Sequence, residues 1–384
     1  MKSPPLILIV DDNPTNVEIL QARLAASNYR IVTAADGEAG LRMARDRLPD
    51  LILLDIMMPK MDGISVCRRI KSDTSLPFMP IIMVTAKAES KDIVAGLEAG
   101  GDEYLTKPVD HRALVSRVKS MLRIKELHDK VHEQSAQLKF QLETATRIQS
   151  LFWPKIPGLE AGHHIWATSV PAAYVGGDFY DVIVLPDASL LVYVADVAGK
   201  GVPAALIMAA LSTKIRIEAQ QQGEIDTLLG MINTSTHQLV SEEGFFITIV
   251  LGRYWPGSGR LQIVIGGHLP PLWLCRSGAR QMSFARGMAL GVSPDTRYER
   301  TEILLSPGES ILLYSDGIIE ARDKKLELFG SGRLTDTIAN SKGPPFGKAI
   351  LDSVGLWQEG TPAADDQTIL EIWREEKSCP LRDP

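Results

Sequence analysis

A chain of 384 residues with 45% hydrophobic and 23% charged side chains exceeds one comfortable core, so two domains and a connector are expected. The formal net charge of −6 opposes nonspecific attraction to nucleic acid or anionic membrane, and no run of about 18 apolar residues is present to span one. Three widely separated cysteines, Cys67, Cys275 and Cys379, form no CxxC pair; they suit a reducing, cytoplasmic setting, with Cys67 and Cys275 as small buried hydrophobes.

Residues 6 to about 122 alternate short apolar runs with amphipathic stretches. The runs Leu6–Val10, Arg30–Ala34, Leu51–Leu54, Pro80–Val84 and Glu103–Thr106 read as strands, and helical patterns fall near 14–26, 37–47, 63–72, 91–99 and 111–122. This alternation predicts a doubly wound parallel sheet, whose ligands gather at the carboxyl ends of its strands. Asp11, Asp12, Asp55, Thr85 and Lys107 all fall at those ends.

From about 121 to 153 the pattern is continuous helix without Gly or Pro. Ile124, Leu127, Val131, Leu138, Ala145, Ile148 and Phe152 form a heptad-like seam broken by Gln134 and Gln141. A paired helix fits this seam; packing on the chain's own domain is the alternative. Trp153-Pro154 stops the helix. Beyond it, β-like runs at Leu190–Ala195, Phe245–Leu251, Leu261–Ile265, Ser310–Tyr314 and Thr368–Trp373, with helices near 202–221 and 225–241, predict a layered α+β domain. The expected divisions are 1–122, a linker helix at 123–153, a second domain at 154–375 and a frayed tail at 376–384.

Asp55 ends the run Leu51–Leu54, and Asp11 and Asp12 end the first strand in the same way. Three carboxylates at adjacent strand ends can share one magnesium ion, and a bound cation lets a phosphoryl group approach a carboxylate nucleophile. Lys107 adds a compact positive charge and Thr85 a hydroxyl. An isolated Asp at a strand end is usually a turn former, but five suitable residues gathered at four strand ends fit a site that carries an aspartyl phosphate.

The second acidic group is Asp178, Asp196, Asp316 and Asp365. Gly176-Gly177 before Asp178 permits close backbone approach, and strand geometry puts Asp178 and Tyr180 on one face with Asp181 on the other, where it is either a supporting residue or a surface one. Asp196-Val197-Ala198-Gly199-Lys200-Gly201 ends a strand before a small-residue helix, an arrangement that lacks the full pattern of a nucleotide-binding loop. Four carboxylates from separate elements can hold two divalent ions that orient water for in-line attack on a phosphoester. His268, after Gly266-Gly267, is read as a turn residue rather than a general acid.

Ile9–Asn13, Leu54–Gly63, Val84–Ala86 and Tyr104–Pro108 resemble the receiver domains of two-component response regulators. The resemblance implies a flavodoxin-like fold, Asp55 as phosphoacceptor, and Mg2+ held by Asp11, Asp12, Asp55 and the main-chain carbonyl of Met57. It further implies Thr85 and Tyr104 as switch residues, a cis Lys107–Pro108 bond, and a sensor histidine kinase or phosphotransfer protein as partner. Val175–Asp181, Asp196–Leu206, Gly266–Pro271, Leu290-Gly291, Tyr314–Gly317 and Asp365–Thr368 resemble the SpoIIE/RsbU branch of PP2C-type serine/threonine phosphatases, and Ala145–Pro154 is similar to that branch's helical lead-in. Leu269 intrudes where the family often runs His-Pro-Pro. This second resemblance implies an α-β-β-α sandwich with two Mn2+ or Mg2+ ions around Asp178, Asp196 and the Val197 carbonyl, Asp316 and Asp365. Its substrate would be a phosphorylated anti-sigma-factor antagonist.

The resulting expectation is a cytoplasmic response regulator that controls a metal-dependent phosphatase and pairs into a homodimer through the linker helix. It would have neither nucleic acid nor membrane as partner. The alternative is a phosphorylation-gated adaptor whose second domain binds a partner without catalysis.

Overall fold

The computed structural model describes residues 4–86, 90–159, 162–221, 223–275, 278–280 and 282–376, and the chain divides into two compact units at Lys139/Phe140. Cys379 and residues 377–384 of the expected tail lie outside the described residues.

The first unit runs β1 (Leu6–Val10), α1 (Pro14–Leu24), β2 (Arg30–Ala34), α2 (Gly37–Arg47), β3 (Leu51–Asp55), α3 (Gly63–Ser72), β4 (Ile81–Thr85), α4 (Ser90–Glu98), β5 (Glu103–Thr106) and then α5 (His111–Gln149). Short polar residues start the helices: Asn13, Asp36 and Asp62 accept hydrogen bonds from the backbone N–H groups of Thr15, Ala39 and Ser65. The strands pair in parallel in the order β2-β1-β3-β4-β5, a flavodoxin-like receiver sheet. Alternate side chains divide between two cores. Leu8, Val10, Ile52, Leu54 and Met83 pack under α2 and α3, while Ile7, Ile9, Leu53, Ile82 and Val84 pack with Leu20, Leu114 and Val118 of α1 and α5.

The fifth receiver helix and the linker are one element. α5 runs for 39 residues, about 58 Å at the usual rise per residue, and a single 3-10 turn (Ser150–Phe152) ends it. Its packing within the first unit does not stop at 122: Lys125 is buried against Asp129, and the His128 ring stacks on Phe78 with centroids 4.4 Å apart. The apolar seam itself is open, with Leu127, Val131, Leu138 and Ile148 exposed.

The second unit contains β6 (His163–Val170), β7 (Phe179–Val184), β8 (Leu190–Val197), α6 (Val202–Glu218), α7 (Ile225–Val240), β9 (Ile247–Trp255), β10 (Arg260–Gly266), β11 (Leu272–Cys275), β12 (Gly278–Arg280), β13 (Thr301–Leu304), β14 (Ser310–Tyr314), α8 (Gly330–Ala339), α9 (Phe346–Gln358) and β15 (Gln367–Arg374). They form two five-stranded antiparallel sheets, β13-β10-β9-β8-β7 and β12-β11-β14-β15-β6. One face of each sheet meets the other: Val192, Val194, Ile263 and Ile265 pack on Ile311, Leu313, Leu370 and Ile372. The outer faces are covered by α6 and α7 on one side (Met208, Leu211, Leu229, Ile232) and by α8 and α9 on the other (Leu334, Ile338, Ile350, Val354). The layers are therefore α-β-β-α, a PP2C-like sandwich. Cys67 is buried at 0% exposure, whereas Cys275 is only half-buried at the end of β11, a departure from its expected burial.

Candidate functional sites

In the first unit the ends of β1, β3, β4 and β5 bring the receiver residues together. Carboxylate oxygens of Asp11, Asp12 and Asp55 lie within 4.8 Å of one another; Asp11 and Asp55 are buried and Asp12 is exposed. Lys107 Nζ reaches both buried carboxylates, at 2.9 Å from Asp11 and 3.0 Å from Asp55, and the Lys107–Pro108 peptide is cis. Asn13 N–H and the Asn16 side-chain amide also donate to Asp11. Gly63 closes the loop after Asp55. A Cβ there would stand 2.1 Å from the Asp55 carbonyl, and its N–H instead donates to the Ile56 carbonyl. Burial pushes the Asp55 carboxyl up and Lys107 pulls it back only in part. Burial opposes the Lys107 charge, but hydrogen bonds to Asp11 and Asp55 outweigh it and raise the ammonium pKa. Three carboxylates against one ammonium leave a deficit of positive charge, and an all-oxygen donor set fits a hard divalent ion. Thr85 is buried at the end of β4, Tyr104 is exposed on β5, and the Met57 side chain points into solvent.

In the second unit the β7/β8 ladder sets Phe179 opposite Ala195, so Asp178 and Asp196 share one end of a sheet; β14 and β15 do the same for Asp316 and Asp365. The two ends meet. The Ser315 hydroxyl donates to the Asp366 carbonyl at 3.2 Å and accepts from Thr368 N–H at 3.0 Å, which ties the end of β14 to the start of β15 beside Asp178. Burial, then the charge of Asp196, drives the Asp178 carboxyl well above its ordinary range. Asp196 is pushed up to about 6 by burial, then Asp316 and Asp365, and Asp316 is raised by burial, Glu320 and Asp365.

Asp178 Oδ2 is buried without a hydrogen-bond partner. An orphaned carboxylate oxygen among like charges is costly unless a cation meets it, so this donor set fits divalent metal. The four carboxylates do not converge on one point. Among the described residues the Asp11, Asp12 and Asp55 group is the one place where three metal-binding side chains approach within 4.8 Å, and the second cluster is the wider one. At that cluster's rim Lys200 bonds Asp365 at 2.9 Å and the Ala364 carbonyl at 2.5 Å. Val197 faces the site through its backbone: a Cβ on Gly177 would lie 3.0 Å from the Val197 carbonyl oxygen.

Three neighbours differ from or add to the sequence reading. Asp181 is neither at the cluster nor on the surface; it is fully buried under α6, paired with Arg216 at 2.8 Å and bonded by Tyr193. His268 is buried between the sheets, joining the Thr248 hydroxyl (2.7 Å) to the Tyr314 carbonyl (3.1 Å) two residues before Asp316. Burial holds its pKa down to about 4, so it is neutral and ties the strand end in place rather than carrying a proton. Asp366, quoted in the motif but given no role by the sequence, accepts from Ala172 N–H at 2.8 Å and Asp178 N–H at 3.2 Å, and so fixes the loop that carries Asp178. Two adjacent acids followed by a strand are the only sequence signal for it, since successive side chains there diverge.

Comparisons with known proteins follow this division. The response regulator receiver domain family model matches residues 7–119, and the family model described as stage II sporulation protein E (SpoIIE) matches residues 186–375. Over 130 residues the chain is 45% identical to response regulator PleD of Caulobacter vibrioides, and over 121 residues 47% identical to the alkaline phosphatase synthesis transcriptional regulatory protein PhoP of Bacillus subtilis. These matches cover 34% and 32% of the chain, but only 29% and 50% of the relatives' own lengths. The SiaA-PP2C domain of Pseudomonas aeruginosa superposes with a TM-score of 0.54 at 24% identity, over 63% of this chain and 99% of that one, a likeness of fold. The chain thus carries a response regulator receiver domain followed by a SpoIIE domain of PP2C-like fold.

Proposed function

We propose that phosphorylation of Asp55 controls a metal-dependent phosphoserine/phosphothreonine phosphatase in the second unit, acting on a phosphorylated anti-sigma-factor antagonist. The receiver would take its phosphoryl group from a sensor histidine kinase or phosphotransfer protein. An Asp55 oxygen attacks phosphorus as the bond to the donor nitrogen breaks, with Lys107 Nζ and the Thr85 hydroxyl set to meet the phosphoryl oxygens. Asp11, Asp12, Asp55 and the Met57 carbonyl would hold Mg2+, and Thr85 and Tyr104 would reorient with the new charge. The exposed seam of α5 supports pairing with a second copy of the chain as the route of control.

For the second unit, Asp178, Asp196, Asp316, Asp365 and the Val197 carbonyl would hold two Mn2+ or Mg2+ ions. When bound, such ions supply an acidified, oriented water and neutralise charge on the phosphoryl group. Water oxygen bonds to phosphorus, the ester P–O bond breaks, and the leaving serine or threonine oxygen takes a proton. Asp366 and His268 keep the carboxylates in register, and Lys200 holds Asp365 at the open rim. The observation that carries this reading is the buried, unpartnered Asp178 Oδ2 among carboxylates whose burial and charges raise the pKa values of Asp178 and Asp196.

The test is Mn2+-dependent phosphate release from a small serine-phosphorylated protein, with and without a small phosphodonor. Wild type is expected to release phosphate and to change rate with the donor. Release no faster than an Asp316→Asn control would instead identify a phosphorylation-gated adaptor.

A further inference from the structure

The last turn of α5 grips the loop that carries Asp178. Gln149, the final residue of the helix, makes a two-bond amide pair with one residue of that loop: Nε2 donates to the Gly176 carbonyl at 2.7 Å, and Oε1 accepts from Gly176 N–H at 3.3 Å. One turn earlier the Thr146 hydroxyl reaches the Tyr174 carbonyl at 2.5 Å, and just after the helix Trp153 packs on Tyr180 with ring centroids 5.1 Å apart. Residues 146, 149 and 153 follow the spacing of one helix face, and they meet 174, 176 and 180 in order.

The opposite side of the same loop rests on Asp366. A Cβ at residue 176 would fall 2.1 Å from Asp366 Oδ2, so only glycine lets the backbone sit between the Gln149 amide and that carboxylate. The same Oδ2 accepts from Asp178 N–H. A chain of direct contacts therefore runs from the Gln149 amide through the Gly176 backbone and Asp366 to the backbone of Asp178. Neither bond at Gly176 comes from a sheet ladder, so a small rotation of the helix end is enough to break the pair.

We propose that Gln149 is a positioning residue for Asp178, through which the conformation of the last turn of α5 sets the affinity of the carboxylate cluster for divalent cations. This rests on the reading of Asp178 as a metal ligand. The helix end is then the element that a signal arriving along α5 acts on: with the amide pair made, the loop is held and the cluster is ready for metal; with it broken, residues 174–178 are released.

The experiment uses the full chain and two variants. Gln149→Met keeps the side chain's length and removes both bonds, while Gln149→Glu keeps the acceptor for Gly176 N–H and sets oxygen against the Gly176 carbonyl. Hydrogen exchange over residues 172–178 is measured without metal, and Mn2+ binding is measured by calorimetry without substrate, taking the difference from an Asp178→Asn titration. Both variants are expected to exchange faster in that segment and to bind Mn2+ about tenfold more weakly, the usual scale for losing a residue that supports a ligand. A melting temperature held near that of wild type separates this from general destabilisation. Unchanged exchange at 172–178 in both variants overturns the proposal, whatever happens to stability. Mn2+ titrations identical in wild type and Asp178→Asn would instead overturn the assignment of Asp178 as a ligand, and the exchange result in metal-free protein would still decide whether Gln149 holds the loop.

Discussion

The two acidic clusters solve the same electrostatic problem differently. In the receiver, Asp11 and Asp55 share a lysine at 2.9 and 3.0 Å, so much of their charge is balanced from within. In the second unit, among the described residues, the buried Asp178 Oδ2 has no hydrogen-bond partner, and the lysine that reaches the cluster, Lys200, stands at its exposed rim on Asp365. Under the proposed function, a site with its own counter-charge needs only a single loosely held ion to accept a phosphoryl group. A site without one is costly to keep ionised, so under the proposed function its metal dependence is expected to be the sharper of the two.

The largest effect expected from this contrast is at the second cluster. Asp316→Asn removes a carboxylate from the proposed metal set and is expected to lower phosphate release by about 10³-fold, read as the initial rate at saturating Mn2+. Asp366→Ala leaves all four proposed ligands in place but frees the Asp178 backbone, and is expected to weaken Mn2+ binding roughly ten- to a hundredfold in a calorimetric titration. A neutral result there would mean that the loop is held by other contacts. Asp55→Ala is expected to erase the response to a phosphodonor, taking a rate ratio of about tenfold to one. A ratio unchanged in the variant would uncouple the two clusters.

The smallest effect concerns stability rather than rate. Glu371 is buried on β15, accepts from Gly347 N–H at 2.9 Å at the start of α9, and is pushed up to about 7 by burial. Its folded-state pKa lies above its unfolded value, so the native state binds more protons. The penalty for ionising it is absent below about pH 4.5, grows as pH rises toward 7 and is fully present above. Glu371→Gln is expected to melt higher than wild type at pH 8 by about 2 kcal/mol of stability, with the difference fading by pH 5 in a thermal unfolding series.

Much of the receiver was legible because its strands are unbroken apolar runs and its functional residues stand directly at their ends: Leu51–Leu54 then Asp55, Leu6–Val10 then Asp11-Asp12. The second domain was read less completely. Its central strands and the helices α6 and α7 carried clear patterns, while β6, β13, α8 and α9 escaped notice, since β6 is half-buried along its length and α8 opens with glycines. Asp181 illustrates the limit. Alternation along β7 put it on the opposite face from Tyr180, but only the position of Arg216 on α6 makes that face a buried ion pair. Likewise, the continuous helix read from about 121 to 153 gave no sign that Gln149, unlike Gln134 and Gln141 in the seam, is spent on the backbone of a loop 27 residues away.

Residue order alone determined which side chains stand at strand ends, where the helices start and that two acidic groups exist, because these follow from local periodicity and capping. Which carboxylates are balanced, which is orphaned, and which of Asp365 and Asp366 supports rather than lines the cluster were decided by tertiary structure. Charge balance depends on distances between segments far apart in sequence, such as 178 and 366, and only the packing of the two sheets fixes those.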